Sequence, residues 1–181
     1  LMAELKKAGK PDMALFFTST SKISFAGAGI AAVGGSAANV AWLKKHFGLQ
    51  VISGDKVNQL RHARYFKNKA GVMAHMEKQA ALLRPKFEAV LDTLERELAP
   101  AGVASWNKPR GGYFIPLDVM DGCAKRTVAL CKEAGMVLTG AGATFPYGVD
   151  PRDRNIRIAP TYAKLDEIKT AASLLCLCAK L

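Results

Sequence analysis

The first chemical feature of the chain is a lysine that follows a run of hydroxyls. Thr18-Ser19-Thr20-Ser21 leads directly into Lys22. A lysine between two short strands is ordinarily an exposed turn residue. Its chemical alternative is a Schiff-base amine that attacks an aldehyde cofactor, with the neighbouring hydroxyls hydrogen-bonding a cofactor phosphate. Just beyond it, Gly27-x-Gly29-x-x-Ala32 satisfies the dinucleotide fingerprint G-x-G-x-x-G/A. In that reading the glycines allow a tight turn and a close pyrophosphate approach, Leu49–Ser53 is a second strand, and Asp55 is the ribose-binding acid. Two features oppose it: the helix cap at Ser36 lies well past the glycines, and no repeated β-α units follow. A glycine loop passed closely by another backbone explains the segment as well. A third candidate is Arg157, whose planar guanidinium can grip a carboxylate with two parallel hydrogen bonds. Its structural alternative is an ion pair with Asp150 or Asp153.

Other chemistries find little support. Cys123, Cys131, Cys176 and Cys178 form no C-x-x-C pair, and His46, His62 and His75 have no zinc spacing, so no metal site is expected. Cys176 and Cys178 lie in an apolar helical run and read as buried, reduced thiols, the usage of a reducing, cytoplasmic compartment. No apolar stretch approaches the roughly 20 residues that span a bilayer, and no signal peptide opens the chain. No membrane association is expected.

The elements that must position these residues follow from periodicity. Met2–Gly9 reads as the end of a helix, and Ala14–Thr18 as a short buried strand. Ile23–Ala26 reads as another strand, and Ser36 caps a helix to Phe47 that Gly48 stops. A helix follows Asp55. A longer one spans about Val72 to Leu98, with Val72, Met76, Ala80, Leu83, Phe87, Val90, Leu94 and Leu98 on one face and Pro85 as its expected bend. Beyond it, Val103–Trp106, Tyr113–Leu117, Met136–Thr139 and Ile156–Ala159 read as strands. Asp121 caps a helix from about Cys123 to Glu133, and Asp166 opens the last one. The organisation breaks near residues 65–71.

The 181 residues carry 26 basic and 15 acidic side chains, a net charge of +11, with half the chain hydrophobic and a mean hydropathy of +0.06. This excludes a disordered or collagen-like chain. Residues 1–68 hold +7 of the excess. Without a long Lys/Arg run, such a balance suits anionic small molecules or a missing acidic partner better than nucleic acid. The chain opens on Leu1 in mid-pattern and is expected to be a piece of a longer protein.

Four segments, taken in order, carry a resemblance that each alone would not. They are Ser19-Thr20-Ser21-Lys22 with the following Ile-Ser-Phe-Ala-Gly-Ala-Gly, Asp55-Lys56-Val57-Asn58-Gln59-Leu60-Arg61-His62, Pro109-Arg110-Gly111-Gly112-Tyr113-Phe114, and Asn155-Ile156-Arg157-Ile158-Ala159-Pro160. Together they resemble the C-terminal portion of fold-type-I pyridoxal-phosphate-dependent aminotransferases. They look most like the class I bacterial aspartate-aminotransferase-like and MocR-like subgroup. The resemblance demotes the NAD(P)-binding Rossmann reading.

The resemblance implies an α/β fold with an α+β small domain. Residues 1–68 would be the remnant of the large cofactor domain, and residues 69–181 the small domain with a long bent linking helix. It implies a transaminase as the full-length parent, acting on an amino acid of aspartate type and a 2-oxo acid. The expected cofactor is pyridoxal 5'-phosphate, the expected assembly is a homodimer, and residues 1–181 should be inactive alone. Lys22 would attach the cofactor, with Ser19, and less firmly Thr20 and Ser21, on its phosphate. Arg157 would bind the substrate α-carboxylate, and Tyr113 would line the substrate side or join the core. Many relatives carry an arginine eight residues after the lysine, where this chain has Ile30. Its phosphate contacts would then rest on hydroxyls, backbone N–H groups or residues in the missing part of the parent. The alternative function is the aminotransferase-like sensor domain of a MocR-type transcription regulator.

Overall fold

Strand β1 (Leu15–Ser19) and strand β2 (Ala31–Gly35) pair antiparallel, from Leu15 opposite Gly35 to Ser19 opposite Ala31. The computed structural model describes residues 1–181 and divides them into two units, Leu1–Gln79 and Ala80–Leu181. The first unit also contains helices α1 (Met2–Lys7), α2 (Ala37–Gln50) and α3 (Lys56–Phe66) and the start of α4 (Lys69–Glu97).

This pairing overturns the dinucleotide reading. The glycine segment joins and enters an antiparallel hairpin, whereas the fingerprint needs a parallel strand-turn-helix unit. Ile23 and Ser24 lie in a turn, not a strand, because both of their N–H groups are drawn onto the Thr20 carbonyl oxygen. Leu49 and Gln50 finish α2, so no second strand begins there. The close-approach explanation of the glycines holds at Gly29. A Cβ there would sit 2.8 Å from Ser21 Oγ and 2.9 Å from Ser21 Cα.

Ser36 caps α2 as expected, its Oγ accepting the Asn39 N–H at 3.1 Å. Gly48 does not stop the helix, which continues to Gln50 and leaves through the extended Val51. A glycine inside a helix costs only about 1 kcal/mol relative to alanine. It ends a helix where a left-handed residue is needed, and α2 leaves without one. Asp55 Oδ1 accepts the Asn58 N–H at 2.9 Å and so caps α3. At the α3–α4 joint the Gly71 position has no room for a Cβ against the Phe66 carbonyl oxygen.

Helix α4 runs unbroken past Pro85, which removes one donor without ending the helix. Its expected apolar face is realised unevenly: Val90, Leu94 and Leu98 are buried, whereas Ala80 is exposed.

The second unit adds β3 (Ala104–Trp106), β4 (Ile115–Val119), helix α5 (Ala124–Glu133), β5 (Asn155–Ile158) and helix α6 (Leu165–Lys180). The three strands form one antiparallel sheet in the order β3-β4-β5. Period-two alternation sends Ile115, Leu117, Val119, Ile156 and Ile158 into a core with Val90, Leu94, Leu98 and the buried residues of α5 and α6. The opposite face carries Pro116 beside Arg157 and Asp118 beside Asn155. Residues 136–139 form no strand. Asp121 does not cap α5; it pairs with Arg152 and Arg154, while Asp153 Oδ1 accepts the Lys125 N–H at 3.2 Å. Asp166 lies in the first turn of α6, which starts one residue earlier. No helix is long and apolar enough to cross a membrane.

Candidate functional site

In the first unit, the loop after β1 is shaped by Thr20. Its N–H donates to the Ile30 carbonyl oxygen at 2.8 Å, and its Oγ1 accepts the Ile30 N–H at 2.9 Å. Its carbonyl oxygen accepts the N–H groups of Ile23 (3.0 Å) and Ser24 (2.9 Å). These bonds close a tight turn with Lys22 exposed at its crest.

The Ser19 and Ser21 hydroxyls meet at 2.5 Å at the base of that turn, and the Ser21 N–H donates to Ser19 Oγ at 3.1 Å. Both side chains are exposed, and the absent Gly29 Cβ keeps Ser21 uncrowded. An amine with two adjacent hydroxyls and no acidic neighbour in the segment is a donor set that fits a phosphorylated aldehyde. Thr20 differs from its exposed neighbours in being half-buried, with its hydroxyl bonded to Ile30 and Ser24. Ile30 takes part through its backbone alone.

Helix α3 contributes residues whose side-chain chemistry alone did not mark them. Asn58 and His62 are buried one turn apart. Asn58 Nδ2 donates to the Ala28 carbonyl oxygen at 2.8 Å, and His62 Nε2 lies 2.9 Å from Ser24 Oγ. The available signal was their i, i+4 spacing, continued by the buried Phe66, which puts all three on one helix face.

In the second unit, Arg157 projects from β5 on the face opposite the core. Its Cζ stands 4.6 Å from the Phe114 ring centroid, a cation–π arrangement. Its Nη2 reaches Thr139 Oγ1 only at 3.5 Å, and its Nε is buried with no hydrogen-bond partner. Such an orphaned donor is costly unless a ligand meets it.

The carboxylates expected to pair with Arg157 are engaged elsewhere. Asp150 accepts the N–H groups of Arg152 (3.0 Å), Arg154 (2.8 Å) and Asn155 (2.8 Å). Desolvation works to raise its pKa, but these three bonds prevail and hold it below the usual carboxylate range. Asp153 serves the α5 terminus. The ion pairs of this region run from Arg152 to Asp121 (2.9 Å) and from Arg154 to Asp118 (3.2 Å). Tyr113 is half-buried just ahead of β4.

Comparison with known proteins identifies the family and the fold. The family pattern of the aspartate aminotransferases matches residues 1–181. A protein of Mycolicibacterium smegmatis, provisionally named an aminotransferase, is 52% identical over 96% of this chain and 41% of its own length. The aspartate aminotransferase of Corynebacterium glutamicum is 50% identical over 91% of this chain and 38% of its own length. The crystal structure of an aspartate transaminase from Corynebacterium glutamicum superposes with a TM-score of 0.93 at 47% identity, covering 97% of this chain and 41% of that one. The chain thus spans about two fifths of the length of these relatives. Its α+β structure is that of the C-terminal portion of the aminotransferase fold. With a whole-length family match, and relatives about half identical, the chain belongs to the aspartate aminotransferase family.

Proposed function

We propose that the full-length protein is a pyridoxal 5'-phosphate-dependent aminotransferase of aspartate type, moving an amino group from an amino acid to a 2-oxo acid. The observation that carries this reading is Arg157: a guanidinium steadied by an aromatic ring, with a buried donor unmet by any group of its own unit. A substrate α-carboxylate supplies the missing acceptor in the planar, two-pronged geometry that arginine favours.

Lys22 attaches the cofactor and, once displaced by substrate, acts as the general base at the substrate Cα. The cofactor, when bound, provides the electron sink for that proton's removal. Ser19 and Ser21 hold its phosphate, and Thr20 contributes by shaping the turn. Tyr113 lines the substrate side. Residues 1–68 complete the large domain and residues 69–181 form the small one, in a cytoplasmic homodimer. Residues 1–181 alone carry little or no activity.

Lys22→Ala in the full-length protein should reduce transamination to background and abolish the visible absorbance band of the attached cofactor. Retention of that band in the variant overturns the assignment. Cofactor binding without turnover of any amino acid, together with an upstream DNA-binding module, would instead favour the sensor domain of a MocR-type regulator.

A further inference from the structure

We propose that His62 is a positioning residue for Lys22: acting through Ser24, it fixes the turn that presents the amine. The inference rests on the reading of Lys22 as the cofactor-attaching lysine.

Thr20 and Ser24 bracket Lys22 in the turn, and their hydroxyls are 2.9 Å apart. Ser24 Oγ also lies 3.0 Å from the Thr20 carbonyl oxygen and 2.9 Å from His62 Nε2. His62 Nδ1 faces the Asn58 carbonyl oxygen at 2.9 Å. That oxygen only accepts, so Nδ1 carries a hydrogen, and in the neutral ring Nε2 is an acceptor. The Thr20 carbonyl oxygen already receives two N–H groups, which use both of its lone pairs. The Ser24 hydrogen is therefore shared between His62 Nε2 and Thr20 Oγ1. Thr20 Oγ1 accepts the Ile30 N–H and is also an acceptor for the Ser24 hydroxyl. Thr20, Ser24, His62 and Asn58 thus form one continuous hydrogen-bonded relay.

The turn needs such a relay because packing offers it little. Leu43 and Phe66 are the buried apolar side chains of this unit, while Ser24, Asn58 and His62 are buried polar ones. Buried polar groups specify one arrangement when each is satisfied. The His62 ring is held by aromatic neighbours, 5.2 Å from the Phe25 centroid and 5.7 Å from that of Phe66. One turn earlier on α3, Asn58 ties down Ala28, and Gln79 Nε2 donates to the Ser24 carbonyl oxygen at 3.2 Å. The segment Asp55–His62 thus grips the loop beyond Lys22 at Ser24 and Ala28. A misplacement of about 1 Å in a reacting group can cost about 100-fold in rate, so a loose turn is a kinetic defect.

The test uses the full-length protein and three variants. His62→Phe fills the ring's space without hydrogen bonds, Ser24→Ala removes only the hydroxyl, and His62→Gln retains a side-chain oxygen able to accept from Ser24. His62→Phe and Ser24→Ala should each lower kcat by about 10- to 100-fold with KM nearly unchanged. Both should shift the pH midpoint of the Lys22-dependent absorbance band. In the cofactor-free protein, both should speed amide hydrogen exchange at Ile23, Ser24 and Ile30. The double variant should be no worse than either single one, and His62→Gln should recover part of each effect. Should His62→Phe fail to fold, Ser24→Ala decides alone. Unchanged kcat, band midpoint and exchange in a folded variant overturn the role of His62. A wild-type protein with no Lys22-dependent band overturns instead the reading of Lys22 on which it rests.

Discussion

Fifteen apolar side chains are buried in the unit of residues 80–181, against two in the unit of residues 1–79. The second unit is an ordinary packed core: a three-stranded sheet covers one face with helices and leaves Arg157, Asn155 and Asp118 on the other. The first unit has a two-stranded sheet whose β1 side chains are all exposed, and its order comes from capped helices, an aromatic cluster around Phe25 and the polar relay beneath Lys22. Each unit accordingly offers one kind of chemical asset. The packed unit provides a rigid strand for Arg157. The polar unit provides a turn whose geometry depends on individual hydrogen bonds.

The largest effect that could break this contrast is expected at Leu94. Its side chain is completely buried in the core of the second unit. Leu94→Ala removes its transfer energy and leaves a cavity, at a cost of about 2–5 kcal/mol. Urea unfolding of the chain should show this as a lower midpoint with an unchanged slope. A loss below about 1 kcal/mol would mean that the core collapses around the gap and is not tightly packed.

A smaller effect should come from the thiols of the same core. Burial, then the hydrogen bond and charge of Cys178, push the Cys131 thiol up to about 12. Burial and the nearby Glu97 carboxylate push Cys176 up to about 11. In the unfolded chain such thiols ionise near pH 8.5–9. Folding therefore favours the protonated thiol, and its stabilising contribution is complete below pH 9. As pH rises further the unfolded state loses protons that the folded state keeps, so stability falls until the folded thiols also ionise. The slope is on the order of 1 kcal/mol per pH unit for each thiol. Unfolding midpoints between pH 8 and 11 should decline, and Cys131→Ala should flatten the decline. A flat wild-type profile would show that these sulfurs are hydrated.

The difference between the units also governs what could be read from the sequence. The second unit announces itself through alternation and helical periodicity: β4, β5, α5 and α6 lie within two residues of their expected places, and Val90, Leu94 and Leu98 form the expected stripe. In the first unit, local pattern misleads. Ile23–Ala26 has strand composition, but hydrogen bonding to Thr20 folds its start into a turn. Gly48 looks like a stop, but nothing after it requires one. Lys22 and Arg157 were visible because their chemistry is in their side chains and their motifs are contiguous. His62 was not, because its partner Ser24 lies 38 residues away and its i, i+4 spacing with Asn58 and Phe66 marks only a buried helix face. The orphaned Arg157 Nε, likewise, is a property of surroundings rather than of residue order.

The smallest expected effect is the sharpest probe of the first unit. Phe17 sits in the middle of β1 opposite Val33, yet 72% of its surface is exposed. An aromatic side chain in the centre of a strand would normally be a core residue, and its truncation would then cost about 3–5 kcal/mol. Phe17→Thr places a β-branched residue suited to the strand and removes mostly exposed apolar surface. For residues 1–181 the unfolding midpoint should therefore move by less than the equivalent of about 0.5 kcal/mol, as for other surface substitutions. A loss of about 2 kcal/mol or more would mean that something covers β1 in solution. The first unit would then have an apolar core of its own making, and the polar relay under Lys22 would no longer be what chiefly holds it in order.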